Sequence, residues 1–264
     1  MQRPVAGGGR RHWRLTVADL KGKSIGFVVG SPALNQNALA VLAFGGLTAK
    51  DVKIVEFASN NAMWKGTINN DVDAVFGSTI SGPAKELQTS PRGILWPSMP
   101  FTEKAGWERV RKIGPYFTEH NATCGAGEFS KDKPIQMGTY PYPVFVAYGT
   151  EPAESIYAIT KAMIDGYEQY KDGAPGAVGL ELKRQAMQWV IPFHPGAVKA
   201  FKEAGHWTDA DQTYNDALIK RQGVLAAAWT AYTKTNPADD KFADGWSAAR
   251  KAALVQAKLP DAFD

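Results

Sequence analysis

Along residues 19–87 the spacing of apolar positions switches repeatedly between the period of a strand and that of a helix. Residues 24–29 (SIGFVV) form a short apolar run with β-branched Ile25, Val28 and Val29, bounded by Gly22 and Gly30, which predicts a buried strand. Ser31-Pro32 stops it, and Leu34, Ala38, Val41, Leu42 and Gly45 then recur at helical spacing, with Asn35 as the expected cap. Residues 52–57 (VKIVEF) predict a second strand, and residues 62–69 a short helix with Met63, Trp64 and Ile68 inward. A third strand, residues 71–76, runs into the small polar residues Gly77, Ser78 and Thr79, before Gly82-Pro83 and a helical run over 84–87. Strands alternating with helices predict a mostly parallel sheet with helices on its faces, and ligands of such sheets lie at the carboxyl ends of strands. Ser31 and Ser78 both fall there.

Further on, Ile94 to Trp96 is a short apolar run, and residues 103–117 read as a helix with Trp107, Val110, Ile113 and Phe117 on one face. Glycines and prolines between Cys124 and Tyr142 exclude long helices, whereas Val144 to Tyr148 (VFVAY) is strand-like and reads as a crossing segment between two lobes. After Glu151 the pattern is helical: residues 155–170, 180–189, a helix opened by Pro195-Gly196, and 209–233, which Thr208 and Asp211 begin as a capping box. The tail, 236–264, predicts a surface helix. The expected organisation is a lead-in (1–18), an α/β lobe (19–142), a crossing strand with helices of another lobe (143–235) and the tail (236–264).

With 264 residues, 44% of them apolar, the chain has material for a real core. Its net charge of +4 comes from basic residues scattered along the chain, with no basic stripe interleaved with aromatics, so nucleic-acid binding is not expected. The single cysteine, Cys124, excludes an internal disulfide and a cysteine zinc site. No apolar run has the length of a membrane span, and the first residues carry positive charge without the apolar segment of a secretory signal.

The phosphate-loop signatures GxGxxG and GxxxxGK[ST] are absent, as is the GxSxG elbow. His12, His120, His194 and His206 are not at metal-ligand spacing, and Cys124, in TCGAG, makes a weak nucleophile candidate. No catalytic residue, metal or cofactor is therefore expected. A strand running into a helix N-terminus presents backbone N–H groups and partial positive charge to an anion. Ser31 and Asn35 in the first such loop, and Ser78 and Thr79 at a second strand end, are the candidate ligand-binding residues, an ordinary βα turn being the alternative for the Ser31 loop. Tyr140, with Tyr142, lies among glycines and prolines where a tyrosine can offer ring and hydroxyl to a ligand, or pack in a core.

The ordered segments DLKGKSIGFVVG, NNDVDAVFGST, TCGAG, VFVAYGTEPAESIYAITKAM and IPFHPGAVKAFKEAGHW resemble the TAXI family of solute receptors for TRAP transporters, a resemblance that covers roughly residues 19–235. The resemblance implies a type II periplasmic binding protein fold with two lobes that close on a small organic anion, glutamate-like or another carboxylate. It also implies TRAP membrane subunits as partners, a periplasmic location and no catalysed reaction. In that family a Gly-rich strand, loop and helix precede the DLKGK-type segment, and this sequence opens close to DLKGK. The first lobe is accordingly expected to be incomplete, with part of the ligand contacts and the export signal missing. The rival expectations are a transferase on the same fold and a truncated, non-functional fragment.

Overall fold

The strand β1 (Ser24–Val28) is flanked on both sides, and the computed structural model describes the chain around it over residues 15–141, 144–174 and 176–261. β1 pairs in parallel with β2 (Lys53–Phe57), Ile25 opposite Ile54, and with β3 (Ala74–Val75), Gly26 opposite Val75, giving the order β2-β1-β3. Successive side chains of β1 point to opposite faces of the sheet. Ile25 and Phe27 pack with Ala38 of α1 (Pro32–Phe44). Val28 packs with Met63 and Trp64 of α2 (Asn60–Ile68) and with Ala84 and Leu87 of α3 (Gly82–Thr89). At Gly26 a Cβ would lie 2.8 Å from both Met63 Cγ and Val75 Cγ1, so only glycine lets α2 settle this close to the strand.

Asp73 fastens β3 to β1. Its carboxylate accepts from the Ser24 N–H and hydroxyl, each at 2.8 Å, while its own N–H donates to Ser24 Oγ at 2.9 Å. The bond from the Ser24 N–H, above all, holds the Asp73 pKa below the ordinary carboxylate value. α4 (Lys104–Ile113) packs across α1: its Trp107 is fully buried, edge-on to Phe44 with ring centres 5.7 Å apart, and donates its indole N–H to the Pro100 carbonyl at 3.2 Å. Arg109 caps α1, donating to the carbonyls of Ala43 (2.8 Å), which also accepts from the Gly46 N–H, and Phe44 (2.7 Å) at the helix end.

The chain divides into two compact units between Thr139 and Tyr140. The second is helical. Its α5 (Ala153–Asp165) lies against α7 (Pro195–Glu203) so closely that a Cβ on Gly196 would come within 2.1 Å of the Ala153 carbonyl. Tyr157 donates to Glu203 at 2.6 Å, and Lys199 pairs with Glu154 at 3.2 Å. α6 is the short turn Tyr167–Tyr170. α8 (Asp209–Thr233) opens at the expected Thr208/Asp211 capping box and pairs with α9 (Asp239–Gln256) around Trp229, Tyr232, Phe242 and Trp246. Among the described residues no helix is long and apolar enough to cross a membrane.

The βαβαβ expectation agrees with the first unit, and the departures have local causes. α1 begins at Pro32, three residues before Asn35, because proline's fixed φ suits the first helical position. The helix expected over 103–117 ends at Ile113, where Gly114 packs its α-carbon against the Phe117 ring and Pro115 follows. The glycine- and proline-rich passage contains a hairpin the pattern did not announce, β4 (Thr118–Ala122) antiparallel to β5 (Ile135–Thr139). No helix spans 180–189. Only single 3₁₀ turns form, Ala177–Leu180 and Leu182–Arg184, and Gln185 turns its amide onto the carbonyls of Gly179 and Glu181. The strand expected at Val144 to Tyr148 belongs to no sheet, and Phe145, Val146 and Tyr148 are 67%, 75% and 81% exposed. A strand exists only by pairing, and no described segment pairs with it.

Candidate functional site

The strand order decides where the first unit can hold a ligand. From β1 the chain passes through α1 to β2 on one side, then returns through α2 to β3 on the other. α1 covers the Ile25 and Phe27 face of β1 and α2 the Val28 face. The loops leaving β1 and β3 therefore part at neighbouring strand ends, the kind of topological switch point at which open α/β sheets bind ligands.

Three helices start from this edge, each after a serine: α1 after Ser31, α2 after Ser59 and α3 after Ser81. Ser59 Oγ accepts from the Ala62 N–H at 3.2 Å, and Ser81 Oγ accepts from the Ala84 N–H at 3.3 Å while its hydroxyl donates to the Ser78 carbonyl at 2.9 Å. Ser31 is different. Its side chain makes no capping bond to α1 and Pro32 carries no N–H, which leaves the amides of Ala33 and Leu34 to an acceptor from outside the helix. Each helix adds partial positive charge to the edge, so the arrangement suits a small anion held by hydroxyl and amide donors.

The sequence-derived residues fall into three groups. Ser31 and Ser78 lie at the ends of the adjacent strands β1 and β3, with Ser78 exposed and Ser31 half-buried. Asn35 and Thr79 share that edge, but their side chains are engaged with the protein. The Asn35 amide accepts from the Val28 N–H at 2.9 Å and donates to the Val28 carbonyl at 3.0 Å, shaping the loop instead of reaching into it. The Thr79 hydroxyl donates to the Cys124 carbonyl at 3.2 Å. Tyr140 is half-buried and is the first residue of the second unit, and Tyr142 lies outside the described residues.

Ser59, Ser81 and the loop from Cys124 to Gly127 complete the edge and were not among the sequence candidates. The two serines carry the signal of a capping residue before a helical run, Ser81-Gly82-Pro83 most plainly, whereas nothing in local pattern announces that TCGAG folds onto Thr79. His194 serves its own helix: its Nδ1 accepts from the Gly196 N–H at 3.2 Å at the start of α7. No group of three or more His, Cys, Asp or Glu that could hold a metal occurs among the described residues, and Cys124 is exposed as a free thiol. An open groove of about 710 Å³ in the second unit runs between α8 and α9, walled mostly by alanines such as Ala227, Ala231, Ala249 and Ala253, with Tyr232, Thr235 and Gln256 as its polar lining.

The model of a family described as NMT1-like matches residues 14–205, nearly three-quarters of the chain. The chain belongs to the NMT1-like family. This is a periplasmic-binding-protein-like family, and the parallel sheet with its covering helices in this NMT1-like chain agrees with it. The match covers the parallel sheet, its helices and α5 to α7, while α8 and α9 lie beyond it. No curated protein matches the NMT1-like chain.

Proposed function

We propose that this protein is a solute receptor of the TAXI type, delivering a small carboxylate to the membrane subunits of a TRAP transporter from the periplasm. The observation that carries the reading is the meeting of three serine-started helices at the carboxyl ends of a parallel sheet, in a chain of a binding-protein family. A carboxylate presents two oxygens with about four lone-pair directions. The amides of Ala33 and Leu34 and the hydroxyls of Ser31 and Ser78 supply donors without burying a second charge, which spares the desolvation cost of an ion pair. The family and the ordered segments within residues 19–235 support the transporter role, and the partial positive charge of the helix starts favours an anion over a cation. No step of bond making or breaking is needed.

Isothermal titration calorimetry of the purified chain against L-glutamate and a panel of dicarboxylates tests the reading. Saturable heat with one of them, abolished in Ser31→Ala/Ser78→Ala, is the expected result. Absence of heat across the panel from a cooperatively folded protein overturns it.

A further inference from the structure

Thr79 and the loop that follows β4 are joined by more than one bond. The Ala126 N–H donates to the Thr79 carbonyl at 2.7 Å, and the Thr79 hydroxyl donates back to the Cys124 carbonyl at 3.2 Å. Between them sits Gly125, with φ +122°, a conformation that side chains rarely adopt. A Cβ there would lie 2.4 Å from the Thr79 carbonyl oxygen and 2.7 Å from Thr79 Cβ, so the loop rests flat on Thr79 with no room for a methyl group. The loop is itself anchored: Ala126 is fully buried in the cluster of Val28, Met63, Trp64, Ala84 and Leu87, and its carbonyl accepts from the Trp96 indole N–H at 2.6 Å.

On the other side the Ser78 carbonyl accepts from the Ser81 N–H at 3.2 Å and the Ser81 hydroxyl at 2.9 Å. The carbonyls of Ser78 and Thr79 and the hydroxyl of Thr79 are thus all engaged, and the exposed Ser78 hydroxyl is the side-chain group of this pair left for a ligand. We infer that Cys124–Gly127 is a backbone clamp that sets the position of the Ser78 hydroxyl, with Gly125 and Thr79 as positioning residues. The inference rests on the anion-site reading only for its effect on affinity. The clamp itself is a property of the free protein.

The test combines two measurements on Gly125→Ala, Thr79→Val and Thr79→Ser. Hydrogen exchange of the ligand-free protein reads the clamp directly. The Ala126 amide is expected to exchange about tenfold or more faster in Gly125→Ala and Thr79→Val than in the native chain, with amides of β1 and β2 unchanged and Thr79→Ser close to native. Calorimetry with L-glutamate then reads the consequence: affinity about tenfold weaker in the first two variants and restored in Thr79→Ser, whereas a purely structural loop would leave it unmoved. Native Ala126 protection in both Gly125→Ala and Thr79→Val overturns the clamp, as does unchanged glutamate affinity in variants whose Ala126 amide has been released. If the native chain gives no heat with glutamate while the exchange pattern is as expected, the proposed ligand fails and the clamp stands. Where Gly125→Ala does not fold, the Thr79 pair decides.

Discussion

The two units of this chain spend their apolar residues in opposite ways. Among the described residues, 21 of the 26 buried hydrophobics lie before Tyr140, whereas 11 of the 15 large hydrophobics left exposed lie after it. The difference follows from what each kind of backbone requires. A parallel sheet closes its hydrogen bonds only by bringing distant segments together, so the first unit acquires two covered faces as a condition of having strands at all. Helices close their bonds within themselves, and α5, which buries none of its residues, persists with Ile159 58% exposed. The one strongly strand-like segment of the second unit, Val144 to Tyr148, finds no sheet and stays in water.

If that contrast is right, the largest mutational effects belong to the first unit. Trp107→Ala removes a fully buried ring and is expected to cost about 3–5 kcal/mol, read as a lower urea midpoint by circular dichroism. Gly45→Ala drives a methyl to 2.6 Å from the Ala18 N and 2.8 Å from the Val17 carbonyl carbon, backbone that cannot swing aside, for a loss of about 1–3 kcal/mol. Ser59→Ala takes away the α2 cap and costs about 1 kcal/mol in the same assay. Phe145→Ser with Val146→Ser, in the second unit, is expected to change the midpoint by less than about 0.5 kcal/mol, and a loss comparable to that of Trp107→Ala would break the comparison.

The finest readout is pH. Asp73 is held below its unfolded value by the Ser24 N–H, so its contribution is present at pH above the unfolded carboxylate pKa and is lost as pH falls through the lowered folded value. Asp211, in the capping box of α8, is lowered first by the Thr208 hydroxyl and follows the same sign. Asp73 joins two strands 49 residues apart, whereas Asp211 closes a turn of three. Asp73→Asn and Asp211→Asn are therefore each expected to flatten the acid limb of the stability profile, and an unchanged limb in either variant would count against the part its carboxylate plays.

What the sequence made legible divides along the same line. The strands at 24–28 and 53–57 and the helix 209–233 announce themselves through local period and cap, and the neighbouring ends of β1 and β3 follow from their alternation with helices. The hairpin of β4 and β5 does not, because His120 opposite Met137 is a pairing across a glycine-rich passage with no helical or alternating pattern of its own. Within the candidate site, residue type pointed to the edge but not to the direction of each side chain. Asn35 and Thr79 were expected as ligand donors on chemistry alone, and only their bonds to Val28 and Cys124 reveal that the protein has engaged them. Val144 to Tyr148 misled for the converse reason: β propensity describes a fit to neighbours, and the neighbours are a tertiary matter.

The order β2-β1-β3 also bears on how the chain is made. Every strand of the parallel sheet is drawn from residues 24–75, and each pairing spans a single helix or the βαβ unit beside it. A nascent chain thus holds all three described strands of this sheet once Val75 has left the ribosome, well before α5 is synthesised. Growth of the polypeptide makes the strands, α3, α4 and the Cys124 loop of the first unit before the apolar segment at Phe145 emerges. The vectorial order of synthesis thereby lets β1 find its partners before an exposed, strand-like stretch can compete for its pairing edges.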